Sequence, residues 1–240
     1  MAETWQSASR HSLPASVALH LAPGALLTAV FVLGAPAVNR AGGSSYLALL
    51  LCVPVVLVPF EVGVLLVERG RAGVSLWSFA VRGGSPAMSA LEAALSVAVL
   101  YTVAAVATLV VAPLSVAALG AATRWMPRWA VVGGLPAGLS PGTLCLGLLL
   151  SGVVAPVVEE LYFRGYLMPR IPVAGAWAPA VSAALFGVYH FFAPWNWVVI
   201  FAAFLPLAYF VRRRGRLLPA IATHCLFNSL ALLQALARLA

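Results

Sequence analysis

The chain has 240 residues, of which 63% are hydrophobic and only 8% are charged. Soluble domains are about 45–50% apolar and about 25% charged, so this composition excludes an ordinary soluble protein and indicates a membrane protein. The formal net charge of +8 comes from 14 arginines without a lysine. Because these arginines stand singly or in short groups between apolar runs, they match the charge bias of cytoplasmic loops rather than a nucleic-acid-binding surface.

Apolar runs long enough to cross a bilayer follow one another along the whole chain. We predict seven spans, or eight if the long third run divides, at residues 15–38, 46–67, 86–120, 142–167, 180–192, 195–211 and 217–239. The first span is expected to be interrupted at Pro23 and Gly24, with His20 at the membrane interface. The prediction is an all-α polytopic membrane protein with one integral membrane domain over residues 1–240, of which 1–140 are N-terminal spans.

Arginines are concentrated at the N-terminus and in the loops after the second, fourth and sixth spans. The positive-inside rule places this end of the bundle in the cytoplasm, so we expect a multi-pass protein of the inner (cytoplasmic) membrane. Residues 74–86 are predicted to lie in the interface, and the Trp-, Pro- and Gly-rich residues 123–142 are predicted to form a loop on the membrane surface.

Two adjacent carboxylates, Glu159 and Glu160, stand near the end of the fourth apolar run. A charged side chain at the centre of a bilayer costs about 2.5–3.5 kcal/mol on insertion scales, so such residues are usually paired and functional. Glu160 and Arg164 are four residues apart on a helix and can neutralise one another. Glu159 points about 100° away from Glu160 and is left free.

The later spans carry further polar pairs at the same spacing. Phe186 and His190 lie on the fifth span, and His224 and Asn228 lie on the seventh. Polar stripes on three apolar helices are expected to face one shared cavity inside the bundle. A carboxylate near an imidazole can take a proton from water, and imidazole and amide N–H groups can stabilise an oxyanion. The set therefore suits hydrolysis of an amide bond by activated water.

The motifs EELYFR, FGVYH and HCLFN, in this order, resemble the EExxxR, FxxxH and HxxxN signature of the CAAX-protease and bacteriocin-processing (CPBP, or Abi) family of intramembrane endopeptidases. The signature covers residues 159–228, which indicates a catalytic core over 141–240. The resemblance implies a glutamate-dependent protease, type II CAAX prenyl endopeptidase-like, with the catalytic residues Glu159, His190, His224 and Asn228.

In this reading Glu159 and His190 activate water, while His224 and Asn228 stabilise the oxyanion. Glu160, Arg164 and Phe186 would support them. The implied partners are the lipid bilayer and a membrane-associated protein or peptide substrate, including lipidated proteins and proteins with a C-terminal sorting signal. No nucleic-acid partner is expected.

Several alternatives stay open at the level of sequence. Glu159, His190 and His224 also form the ligand set of a hydrolytic zinc site, although we expect a site without a metal or other cofactor. A non-catalytic bacteriocin-immunity or binding protein could keep the same fold, and a proton-coupled transporter also uses intramembrane Glu and His.

Two further expectations concern residues outside the signature and the shape of the cavity. Glu61 and Glu92 are expected to be interfacial or paired with arginines, with a place in the cavity as the alternative. The cavity itself is predicted to be a water-filled funnel that faces the cytoplasm and also opens sideways to lipid.

Overall fold

The fold is a bundle of helices, seen in a computed structural model that describes residues 9–73, 87–124, 126–127, 139–172 and 175–237. The predicted interfacial segment at 74–86 and most of the predicted surface loop at 123–142 lie outside these residues. In chain order the helices are α1 (Leu13–Arg40), α2 (Ser45–Cys52, Val53–Leu57 and Val58–Ala72), α3 (Ala90–Ala122), α4 (Pro141–Leu149, Leu150–Val154, Ala155–Glu159, Glu160–Leu167 and Met168–Arg170), α5 (Trp177–Tyr189), α6 (Trp197–Arg214) and α7 (Leu218–Ala237).

Six of these helices are long and apolar enough to cross a membrane, and α5 is a shorter apolar helix. The predicted all-α polytopic membrane fold is therefore confirmed. The third apolar run forms one helix of 33 residues, about 50 Å long at 1.5 Å per residue, and does not divide into two spans. With 13 residues, α5 is about 20 Å long, shorter than the roughly 30 Å hydrocarbon core.

The first helix continues through Pro23, so the predicted interruption at Pro23 and Gly24 is wrong. A proline has no N–H group, which leaves the carbonyl of the residue four positions earlier without its helical donor. In this protein the hydroxyl of Tyr162 on α4 donates to that carbonyl, Leu19 O, at 2.8 Å. A neighbouring helix thus supplies the hydrogen bond that the bilayer could not, and α1 stays continuous.

The fourth helix lies at the centre of the packing. Tyr162, Phe163 and Leu167 have no exposed surface. The Phe163 ring makes edge contacts with Phe186 and Tyr189 of α5, with centroid distances of 4.9 and 5.0 Å. These aromatic contacts fix α5 against α4. The helix α5 ends at Tyr189, directly before His190.

The first helix approaches α5 through Gly24. A Cβ atom at Gly24 would lie 2.0 Å from the carbonyl oxygen of Tyr189, which is a backbone atom at the end of α5. Only a residue without a side chain fits this contact. On the same helix, Gly34 has no atom within 4 Å of the corresponding position.

We therefore expect Gly24→Ala to push α1 away from the end of α5 and to lower stability by about 1–3 kcal/mol, the usual cost of forcing extra volume into a packed contact. Gly34→Ala on the same helix should leave stability unchanged or slightly raised. Thermal unfolding of the two purified variants in detergent, followed by circular dichroism, checks this. Equal midpoints would show that α1 and α5 do not meet at Gly24.

Candidate active site

The predicted polar stripes meet in one cavity of about 430 Å³ between the helices. The cavity is lined by Glu159 of α4, His190 beyond the end of α5, and His224 and Asn228 of α7. The expectation of an intramembrane polar cavity is therefore confirmed. Most of the remaining wall is apolar.

The two carboxylates of α4 have different surroundings, and the helix changes form between them. Glu159 is the last residue of an α-helical segment, and Glu160 begins a π-helical segment, Glu160–Leu167. Segments of π-helix are rare and frequently occur at functional sites. Glu159 keeps 5% of its surface exposed and faces the cavity, whereas Glu160 is completely buried.

Glu160 is held by two basic side chains. Its Oε1 lies 3.2 Å from the Arg164 guanidinium and 3.1 Å from Nδ1 of His224. The predicted Glu160–Arg164 pair is thus present, and its contact with His224 was not predicted. Buried ions are tolerated when they are paired with a partner of opposite charge. Glu160 is therefore engaged with neighbours inside the protein through Oε1, whereas its buried Oε2 has no hydrogen-bond partner among the described residues.

Arg164 also explains why an aromatic residue is present at position 186. The guanidinium carbon lies 4.0 Å from the centre of the Phe186 ring and 5.5 Å from that of Phe204. A guanidinium over an aromatic face gains a cation–π attraction, which is strongest away from water. Phe186 also lines the cavity, as the sequence predicted, so it joins the buried arginine to the cavity wall.

His224 contacts both members of the Glu pair. While Nδ1 approaches Glu160, Nε2 lies 3.8 Å from Oε2 of Glu159. The first distance is that of a hydrogen bond, and the second is too long for one. The ring is therefore fixed by Glu160 and directs its second nitrogen toward the carboxylate that faces the cavity.

The fifth helix ends at Tyr189, so the prediction that His190 lies on the helix is wrong by one residue. His190 follows the helix with its backbone outside the helical region, and Trp197 Nε1 donates to its carbonyl at 3.0 Å. The ring is nevertheless fixed, because Nδ1 lies 2.9 Å from the carbonyl of Phe186. We assign a proton to Nδ1, which leaves Nε2 of His190 with a free lone pair.

Asn228 is fixed by the first π-helical segment of α4, Leu150–Val154. Its Nδ2 donates to the carbonyl of Ser151 at 3.0 Å. This bond uses one of the two hydrogens on Nδ2 and sets the plane of the amide group. The other hydrogen of Nδ2 remains for a further acceptor in the cavity.

The predicted zinc ligands do not form a metal site in this structure. Among the residues that the structure describes, no group of three His, Cys, Asp or Glu side chains has an arrangement that could hold a metal ion. One ring nitrogen of His224 is engaged with Glu160, which leaves Nε2 directed toward the cavity. As they stand in this structure, Glu159, His190 and His224 are not grouped as a set of metal ligands.

Two interior residues were expected elsewhere. His20, predicted at the interface, is completely buried and packs against Phe163 at a centroid distance of 5.8 Å. Glu61 is also completely buried, and neither of its oxygens has a hydrogen-bond partner among the described residues, so the expectation of an interfacial or arginine-paired position is wrong for it. The sequence feature that could have indicated a buried Glu61 is its position inside an apolar run. Glu92, in contrast, is exposed and caps the start of α3 with Ser89.

The cavity extends toward one end of the bundle. Its lining includes Tyr46 and Leu49 near the start of α2 and Ala235 near the end of α7. The loops with most of the arginines lie at the other end, where α2, α4 and α6 finish and α7 begins. We call that other end the arginine-rich end; its described arginines are Arg10, Arg69, Arg71, Arg170, Arg212, Arg213, Arg214 and Arg216.

This direction differs from the predicted funnel, which was expected to face the arginine-rich end. The space toward that end is filled by the interlocking side chains of α4, among them Tyr162, Phe163 and Leu167, none of which is exposed. The expectation failed because it rested on helix depth alone, and the side chains that close one end of a bundle are set by its packing.

Comparison with protein families gives one match: residues 141–230 match the family described as Type II CAAX prenyl endopeptidase Rce1-like. Comparison with curated proteins and with solved structures found no match. The matched residues run from the start of α4 through most of α7 and include all three motifs. Residues 141–230 are therefore similar to the Rce1-like family, which is consistent with the CAAX-protease (CPBP) family that the motifs indicated.

Proposed function

We propose that this protein is an intramembrane endopeptidase that hydrolyses a peptide bond of a membrane-associated protein or peptide, with water activated by Glu159. The observation that supports this proposal most is that the two adjacent glutamates have different contacts. Glu160 is bound by Arg164 and His224, whereas Glu159 faces the cavity beside His224. Glu159 is thus the carboxylate of the pair that is available to a water molecule, and the Rce1-like family is a family of proteases.

The chemistry begins with a water molecule between Glu159 and the carbonyl carbon of the substrate. Glu159 takes one proton, the free lone pair of His190 Nε2 orients the water, and its oxygen bonds to the carbonyl carbon. The carbonyl oxygen becomes an oxyanion, which accepts hydrogen bonds from His224 Nε2–H and from the second hydrogen of Asn228 Nδ2. Glu159 then gives its proton to the amide nitrogen, and the C–N bond breaks.

His224 can serve as an oxyanion donor because Glu160 holds its Nδ1. A protonated imidazole donates from both nitrogens, and the ionised Glu160 stabilises its positive charge. Removing a donor of this kind typically lowers kcat by about 10²–10³-fold. Without Glu160 the ring would lose both its orientation and its charge partner.

The walls of the cavity indicate the class of substrate. The apolar lining of the cavity includes Leu49, Val53 and Leu57 of α2 together with Phe227 and Leu232 of α7. An apolar groove that leads to a polar centre suits a segment that is itself apolar, either a lipidated terminus or a membrane-embedded peptide such as a sorting signal. The family acts on membrane-associated proteins, and we extend this to the present chain.

We further propose that the protein resides in the cytoplasmic membrane with the arginine-rich end inside the cell, following the positive-inside rule. The cavity then extends toward the outer side of the membrane, because its lining reaches the opposite ends of α2 and α7. Substrates would reach it from that side or from the lipid.

The proposal predicts that Glu159→Gln abolishes cleavage while the protein remains folded, because the amide is nearly isosteric and cannot accept the proton. We expect particular termini to disappear when the terminal peptides of membrane proteins are compared between cells with the natural chain and cells with the variant. Glu92→Gln, which changes an exposed carboxylate at the start of α3, is the control and should keep these termini. Identical profiles under all conditions of expression would favour a binding, immunity or transport role.

Glu160→Gln should instead lower the stability of the fold. Removing one partner of a buried ion pair typically costs about 3–5 kcal/mol, since the other charge stays buried without compensation. Arg71→Gln removes the exposed partner of the Arg71–Glu68 pair, whose 2.9 Å separation is even shorter, and should cost less than about 1 kcal/mol. Thermal unfolding in detergent compares the two. If Glu160→Gln loses no more stability than Arg71→Gln, the claim that a buried ion pair at Glu160 stabilises the fold is refuted.

The orientation is tested with single cysteines placed in a chain whose Cys52, Cys145 and Cys225 are replaced by alanine. A membrane-impermeant maleimide added to intact cells or spheroplasts should label Ala235→Cys at the cavity end. It should label Arg213→Cys only after the membrane is permeabilised. The reverse pattern would place the arginine-rich end outside and would contradict the proposed orientation.

A further inference from the structure

A proline lies inside α4 shortly before the Glu pair. Pro156 is the second residue of the α-helical segment Ala155–Glu159, which follows the π-helical segment Leu150–Val154. Because proline has no N–H group, one carbonyl earlier in the helix loses its helical donor. Which carbonyl this is depends on the hydrogen-bond register of the helix at that point.

The register of α4 leaves the carbonyl of Ser151 without a helical donor. The N–H of Ala155 donates to the carbonyl of Leu150, five residues earlier, which is the π-helical register. The next donor in this register would be the N–H of residue 156, but Pro156 has none. In the α-helical register the donor to Ser151 would be the N–H of Ala155, which Leu150 already uses.

A side chain of another helix takes the place of the missing donor. Nδ2 of Asn228 on α7 donates to the carbonyl of Ser151 at 3.0 Å. The same substitution occurs at Pro23 of α1, where the Tyr162 hydroxyl donates to the carbonyl of Leu19. The difference is that Asn228 lines the cavity, so the donor that compensates for the proline is also a residue of the candidate site.

The approach of α7 to this part of α4 is close because residue 152 is a glycine. A Cβ atom at Gly152 would lie 2.6 Å from Oγ and 3.8 Å from Cα of Ser229. On the same face of α7, Sγ of Cys225 lies 3.9 Å from the carbonyl of Val153. The π-helical segment therefore packs directly on the face of α7 that contains Asn228.

We propose that Pro156 is a positioning residue of the active site, which withholds a backbone N–H from Ser151 and so reserves this carbonyl for Asn228. The bond fixes one hydrogen of Nδ2 and leaves the other for an acceptor in the cavity. The role in catalysis rests on the proposed function, whereas the dependence of the bond on Pro156 does not.

Replacing Pro156 with alanine gives Ser151 a backbone donor in either helical register. If the segment stays π-helical, the new N–H of residue 156 donates to the carbonyl of Ser151. If the segment becomes α-helical, the N–H of Ala155 donates to it instead. In both cases a helical N–H competes with Nδ2 of Asn228, and the plane of the amide group is no longer fixed.

The test follows the side-chain amide of Asn228 by NMR. Asparagine occurs only at positions 39, 196 and 228, so labelling its side-chain nitrogen gives a simple spectrum of the purified protein in nanodiscs, and Asn228→Asp assigns it. In the natural chain, one hydrogen of Asn228 Nδ2 should be shifted downfield and protected from exchange with water. In Pro156→Ala the shift should be lost, and exchange should become about five- to tenfold faster, as for the loss of one hydrogen bond.

Two controls separate this effect from a general distortion. Pro113→Ala replaces another proline inside a membrane helix, exposed on α3, and should leave the Asn228 signals unchanged. Asn196 also lines the cavity, and its signals should be the same in Pro156→Ala as in the natural chain. Signals that change equally at Asn196 and Asn228 would mean that the whole cavity is distorted, and the specific role of Pro156 would be refuted.

The remaining outcomes also decide the proposal. Unchanged Asn228 signals in Pro156→Ala, or free exchange of both Nδ2 hydrogens in the natural chain, would refute it. A Pro156→Ala protein that does not fold, as judged by circular dichroism, would contradict it too, because the new N–H is expected to find an acceptor within the helix.

Cleavage is measured separately, with a substrate identified from the terminal peptides. Pro156→Ala should lower kcat with little change in KM, by at most the roughly 10²–10³-fold typical of a lost oxyanion donor, and Pro113→Ala should cleave normally. If the NMR signature of Asn228 is lost while cleavage stays normal, Pro156 positions the amide as proposed, and the oxyanion role of Asn228 in the proposed function is wrong.

Discussion

The site depends on one buried ion cluster, in which Glu160 bridges Arg164 and His224. These three side chains are at most 3% exposed, so each charge is stabilised by its partners instead of by water. The cluster fixes the His224 ring through Nδ1 and places the Arg164 guanidinium against the Phe186 ring. It joins α4, α5 and α7, and the geometry of the cavity follows from where these three helices meet.

The same cluster gives two adjacent glutamates different surroundings. An α-helical segment ends at Glu159 and a π-helical segment begins at Glu160, and one imidazole reaches both carboxylates with its two nitrogens. Glu160 makes the shorter contacts with Arg164 and with Nδ1 of His224, while Glu159 faces the cavity with Nε2 of His224 at 3.8 Å. In the proposed mechanism this separates the structural carboxylate from the one that accepts a proton from water.

Much of this arrangement could be predicted from the sequence, since the period of apolar residues fixes helices and polar residues in apolar spans converge on a cavity. The Glu160–Arg164 pair followed from a spacing of four residues, and it is present. Contacts between helices that are distant in the sequence could not be predicted from residue spacing or periodicity. The hydroxyl of Tyr162 on α4 donates the hydrogen bond that α1 lacks because of Pro23. Glu61 approaches Glu159 only because α2 packs against α4.

The end of α5 and the direction of the cavity were missed for a related reason. A hydrogen bond from Trp197, seven residues later, holds the backbone of His190 outside the helix, and no local pattern in FGVYH shows it. Side-chain packing along the C-terminal part of α4 closes the bundle toward the arginine-rich end, and this packing depends on how rings of α1, α4 and α5 interlock. Such features belong to the tertiary structure and not to the periodicity of any one segment.

The central claim is that Glu159 holds the reacting water without a metal ion. High-resolution crystallographic density of the purified protein, with diffraction recorded across the zinc absorption edge, tests it most directly. The account predicts a water molecule about 2.6–3.2 Å from the Glu159 carboxylate and within reach of His190 Nε2, and no anomalous peak in the cavity. An anomalous peak between Glu159 and the two histidines, or a Glu159 side chain turned away from the cavity onto Arg164, would contradict it.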